Sequence, residues 1–143
     1  MKILNGFKMP KLRLSWFLLL LFIYSASVLI FVWWQCYVSP WQGGKNGQLD
    51  AYRHTLASAV VAYTISPKLV TLVGTVMERK NFESNLMDKQ NNRIGAEIGA
   101  KARSLNEICQ NVVAQVAQGT VNANNANQTT WLPQSYWGEA LLW

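Results

Sequence analysis

Trp16-Phe17-Leu18-Leu19-Leu20-Leu21-Phe22-Ile23-Tyr24-Ser25-Ala26-Ser27-Val28-Leu29-Ile30-Phe31-Val32-Trp33-Trp34 lies inside an uncharged stretch that runs from Leu14 to Gly44. A hydrocarbon core about 30 Å thick needs roughly 20 helical residues at about 1.5 Å each, and this run meets that need. Tyr24, Ser25 and Ser27 are tolerated because a hydroxyl can bond back to its own helix. Trp16 at one end and Trp33, Trp34 and Tyr37 at the other stand where amphipathic rings favour the membrane boundary. Lys2, Lys8, Lys11 and Arg13 precede the run, which places the N-terminus in the cytoplasm and the rest of the chain outside it. A cleaved signal fits less well: its apolar core would be shorter, and Val32-Trp33-Trp34-Gln35-Cys36 is too bulky for a cleavage or lipoprotein site.

The formal net charge of +6 suggests nucleic acid only until its distribution is considered. Four cations sit in the N-terminal tail, leaving nine against seven acids after the span. No basic stripe interleaved with aromatics follows, so nucleic-acid binding is excluded and membrane lipid is the expected partner of the tail. Cys36 and Cys109 both fall on the outer side, where an oxidising compartment would permit a disulfide. A buried Cys109 with an unpaired Cys36 is the alternative.

Outward from the span, the chain divides into a basic cytoplasmic tail over 1–15, a transmembrane helix over 16–36 and a Gly/Pro linker over 37–47. A helical domain follows over 48–118, then an Asn/Thr-rich connector and Trp-rich tail over 119–143. The expected class is all-α: one N-terminal transmembrane helix, a small three-helix domain and an irregular aromatic tail. The first domain helix spans about Gln48 to Ile65, with Leu49, Tyr52, Leu56, Ala59 or Val60, and Tyr63 on its apolar face. Ser66-Pro67 ends it and opens a second helix to about Arg79. The third is expected from Leu86 to Gln118, with Met87, Asn91, Ile94, Ile98, Leu105, Cys109, Val112 and Val116 near a 3.5-residue repeat.

The polar side chains on these helices are the candidates for chemistry. Asp50, His54 and Ser58 are spaced i, i+4, i+8 on one stripe with Arg53 beside it, and His54 is the single histidine of the chain. An aspartate one turn from a histidine can fix its tautomer and support the imidazolium form, as a general base requires. Asp88 and Asn92 share a face of the third helix, while Gly95 and Gly99 leave a smooth surface for close approach, with Ala57 and Ala59 as its partner. If those surfaces meet, Arg53 and His54 face Asp88 and Asn92. A nucleophilic Ser58 has no Gly-x-Ser-x-Gly elbow, and the linker has no P-loop ending. Asn127-Gln128-Thr129 matches a glycosylation acceptor by composition alone.

Asp50-Ala51-Tyr52-Arg53-His54, then Glu78 after Met77, then Met87-Asp88-Lys89-Gln90-Asn91-Asn92-Arg93-Ile94-Gly95 resembles a bacterial helical domain family of unknown function, over roughly residues 43–100. The resemblance implies a shared fold and polar cluster and brings no reaction with it. Members often carry a second histidine where this chain has Met77, so a zinc site relying on that histidine is not expected.

Two functions stay open. One is a structural or interaction component of a bacterial envelope assembly, such as a secretion, conjugation or lysis system, with the aromatic Trp131–Trp143 tail as the protein-binding element and a homo-oligomer formed through the span. The other is a membrane-tethered hydrolase of lipid or peptidoglycan, using Asp50, Arg53 and His54 as catalytic groups. In it Asp88, Asn91, Asn92 and Glu78 position substrate or a divalent cation such as calcium. No other cofactor is expected.

Overall fold

The computed structural model describes residues 11–77, 83–121, 125 and 128–139. Five α-helices and no strand occur among them: α1 (Lys11–Val38), α2 (Gln48–Thr64), α3 (Pro67–Met77), α4 (Glu83–Lys101) and α5 (Leu105–Ala117). The all-helical class is as expected, and α1 is long and apolar enough to cross a membrane. Glu78 and Asn127 lie outside the described residues.

The expected third helix is two helices. Ser104 breaks it: its side chain accepts the Glu107 N–H at 3.1 Å, while Glu107 Oε2 accepts the Arg103 N–H at 2.8 Å. This reciprocal cap satisfies donors that a continuous helix would direct elsewhere, and it starts α5 in a new direction. Among the described residues the domain after α1 therefore has four α-helices instead of three.

α2 is the central element, with most of its side chains buried. Its first N–H groups have no side-chain cap; Leu49 and Asp50 donate instead to the carbonyls of Gln42 and Gly43 at 2.8 and 3.2 Å. Asn46, with φ 62°, occupies the left-handed conformation that asparagine tolerates and makes the sharp entry possible. α2 turns back along α1, so that Tyr24 and Thr64 hydroxyls meet at 2.6 Å. α4 runs beside α2 in the same direction, Gly95 resting on Thr55 and Ser58 and Gly99 on Ala59 and Ala62. Ala59 is thus part of the contact as expected, whereas Ala57 packs against the core shared with α1 and α5.

That core is the main departure from a free-standing domain on a stalk. Val32 and Cys36 of α1 are buried with Leu49, Tyr52, Leu56 and Val60 of α2 and Ile108, Val112 and Val116 of α5. The upper half of α1 is therefore a structural helix of the domain, while Arg13 to Ile23 are exposed on all sides. Of the apolar face expected on α2, only Tyr63 is outside, 39% exposed. Ile108 is fully buried, and Ile108→Ala is expected to cost about 2–5 kcal/mol through lost burial and the cavity left behind, read from denaturation in detergent.

The described part of the tail is docked. Leu132 N–H donates to Asn46 O at 2.8 Å, Lys45 and Gly138 exchange both backbone bonds, and the Trp137 ring N–H donates to Leu132 O at 2.6 Å. A short 3-10 helix over Gln134–Tyr136 follows, with Tyr136 exposed.

Candidate functional site

The start of α2 sets the position of Asp50. As an acid in the first turn it is favoured by the exposed N–H groups there, and its Oδ2 accepts the Asn46 N–H at 2.6 Å. Its Oδ1 accepts from Arg53 one turn along, a pair almost wholly buried at 6% and 8% side-chain exposure. The next residue, His54, also one turn from Asp50, has its Nε2 3.5 Å from Asp50 Oδ1 and 3.5 Å from Asp88 Oδ1. Asp88 reaches this point because the glycine contacts hold α4 against α2. The histidine keeps 25% of its side chain exposed and Asp88 keeps 21%, so the cluster opens to the surface at this edge.

The structure thus brings Asp50, Arg53, His54 and Asp88 together and gives the asparagines partners outside that group. Asn92 Oδ1 accepts the Ser58 hydroxyl at 2.8 Å, which occupies Ser58 in a helix–helix bond. Asn91, 1% exposed, donates through Nδ2 to Thr130 O at 2.9 Å and ties α4 to the C-terminal segment. Thr130 and the Asn46 backbone were not legible as partners, because neither carries a motif and both arrive through loop geometry.

Asp50, His54 and Asp88 offer three potential ligand atoms within 4.8 Å of one another. A cation held by all three would take one imidazole nitrogen and two carboxylate oxygens. The occupancy of Asp50 works against it, since a cation there would compete with Arg53 for Oδ1. A cavity of about 390 Å³ lies between α3 and α4 and reaches the region at Asn92; a second, of about 450 Å³, lies between the linker and the tail. Neither is lined by His54, Asp50 or Asp88.

Cys36 and Cys109 are both thiols in this structure, Cys36 in the core and Cys109 half-buried against it. Burial pushes the Cys109 thiol above its ordinary pKa. Only the thiolate alkylates, so in a Cys36→Ala background the iodoacetamide rate of Cys109 is expected to rise at higher pH than that of a free cysteine, with little reaction near neutrality. Burial likewise pushes the Tyr52 phenol up to about 12.

Comparison with known protein families, curated proteins and solved structures returns no match to this chain.

Proposed function

We propose that this protein is a single-pass membrane component of a bacterial envelope assembly, with its N-terminus cytoplasmic and its helical domain on the periplasmic or outer side, acting through structure and interaction. The observation that carries this reading is the burial of Val32 and Cys36 in the domain core. An anchor that shares its core with the domain holds that domain at fixed height and orientation, which suits a platform better than a tethered enzyme that must search for substrate. The polar cluster fits the same reading: Asp50 is engaged through both oxygens at the start of α2, and the Ser58–Asn92 bond helps fix how α2 and α4 meet. Protein partners would meet the exposed Tyr136 side of the tail, and further copies the outward face of α1 at Ile30 and Trp34.

One observation favours the hydrolase as the second reading. His54 stands between two carboxylates at a partly open edge, the arrangement a general base uses. The test is a pair of substitutions, His54→Gln and Asp88→Asn, in the full-length protein in membranes. The structural role predicts a loss of about 1–2 kcal/mol, seen as a lower Tm, with no lipid or peptidoglycan turnover in either parent or variants. Turnover in the parent that disappears while Tm holds would overturn it in favour of the enzyme.

A further inference from the structure

We infer that the end of the domain formed by the α2–α3 and α4–α5 junctions is a lipid-contacting surface that takes up anionic phospholipid headgroups. This rests on the reading of α1 as a membrane span.

The argument begins with length. About 11 residues, or roughly 16 Å of helix, separate Arg13 from Tyr24, where the Thr64 hydroxyl meets α1. The hydrocarbon core is about 30 Å thick. A crossing that starts with Arg13 at the cytoplasmic boundary therefore runs out of free helix about halfway. Above Tyr24, α1 is already flanked by α2, and from Val32 it is part of the core. A docked domain on a crossing α1 cannot stand clear of the bilayer; its lower end is drawn into the outer leaflet, where local thinning of the bilayer and the long stems of lysine and arginine bring the charges to headgroup level.

The composition of that end suits the location. Tyr63 Oη donates to Arg103 O at 3.3 Å, which fixes the two junctions at one level. Tyr63, Ile65 and Leu105 are exposed there at 39%, 51% and 43%, beside exposed Lys68, Lys101 and Arg103. Aliphatic side chains and a tyrosine interspersed with long cations are the mixture found at membrane boundaries, the stems lying along acyl chains and the charges reaching phosphates. The acids nearby already hold partners. Glu107 accepts the Arg103 N–H, and Glu97, one turn up α4, pairs with Arg93 at 2.7 Å. Positive charge is thus left facing the surface through which α1 emerges, and anionic headgroups are its complement.

The test uses the full-length chain with Cys36→Ala and Cys109→Ala, reconstituted in vesicles of phosphatidylcholine alone or with phosphatidylglycerol. A fluorophore is placed in turn at Leu20→Cys, Ile65→Cys and Lys89→Cys. Quenching by nitroxide lipid is compared with quenching by aqueous iodide. The expected result is lipid quenching at positions 20 and 65, iodide quenching at 89, and a gain in lipid quenching at 65 with phosphatidylglycerol. That gain is expected to be lost in Lys68→Gln/Lys101→Gln/Arg103→Gln. Lipid quenching at 20 with iodide quenching at 65 overturns the surface while leaving the span. Shielding of 65 from both quenchers overturns it in favour of a protein cover. Iodide quenching at 20 removes the span itself and the function proposed above.

Discussion

Gly95→Ala and Gly99→Ala each lower the stability of the domain by about 2 kcal/mol or more, and the double variant fails to fold. A Cβ at Gly95 would fall inside the contact radius of the Thr55 carbonyl oxygen and 2.8 Å from Ser58 Cβ; one at Gly99 would strike the Ala59 carbonyl and lie 2.9 Å from Ala62 Cβ. The obstacles are chiefly backbone, so α4 must move bodily away from α2. Overpacking of this kind costs typically 1–3 kcal/mol, and more where nothing can yield. Alanine's better helix propensity returns only about 1 kcal/mol, so the clash wins. The measurement is Tm of the detergent-solubilised protein. Because Asp88 is delivered to His54 by the same contact, the single variants that still fold should also lose the shielding of His54, seen as faster diethylpyrocarbonate modification.

Asp50→Ala costs about 3–5 kcal/mol, the second large effect. It takes the carboxylate away from a guanidinium that is itself 7% exposed and from the Asn46 N–H at the start of α2. Removing one member of a buried pair costs more than the pair contributes, because the remaining charge stays out of water. Asp50→Asn keeps an acceptor for Asn46 and is expected to cost about half as much. An Asp50→Ala protein as stable as the parent would mean that the Asp50–Arg53 pair contributes nothing net to the fold.

Much of the fold was legible because its signals are local. Gly47-Gln48 and Ser66-Pro67 bracket α2 as read, and the i, i+4 spacing of Asp50 and His54 places them together on the stripe. The closeness of Asp88 was also readable, since the glycine pair on α4 and the small residues on α2 announce a tight crossing. Two features escaped. The break at Ser104 was hidden because the apolar repeat continues in near-register from Ile98 through Cys109 to Val112, and the periodicity outweighed the Ser104-Leu105-Asn106-Glu107 capping box. The burial of Val32 and Cys36 was hidden for the opposite reason: α1 is apolar on every side, so no polar face marks which residues meet protein. Asn91 shows a third limit, for its partner at Thr130 depends on where a long connector returns.

The docked tail and the shared core have a consequence for the order in which the chain acquires its shape. α1 is made before α2 to α5, yet its buried residues Val32 and Cys36 wait for Ile108, Val112 and Val116, which are made some 70 to 85 residues later. The linker that starts α2 waits longer still, for Leu132 and Gly138. Contacts so distant along the chain close slowly. Until α5 has been made, the inner side of α1 has only α2, lipid or a chaperone to cover it. On the proposed reading of α1 as a membrane span, its early delivery to a membrane would protect the half-made protein as well as locate the finished one.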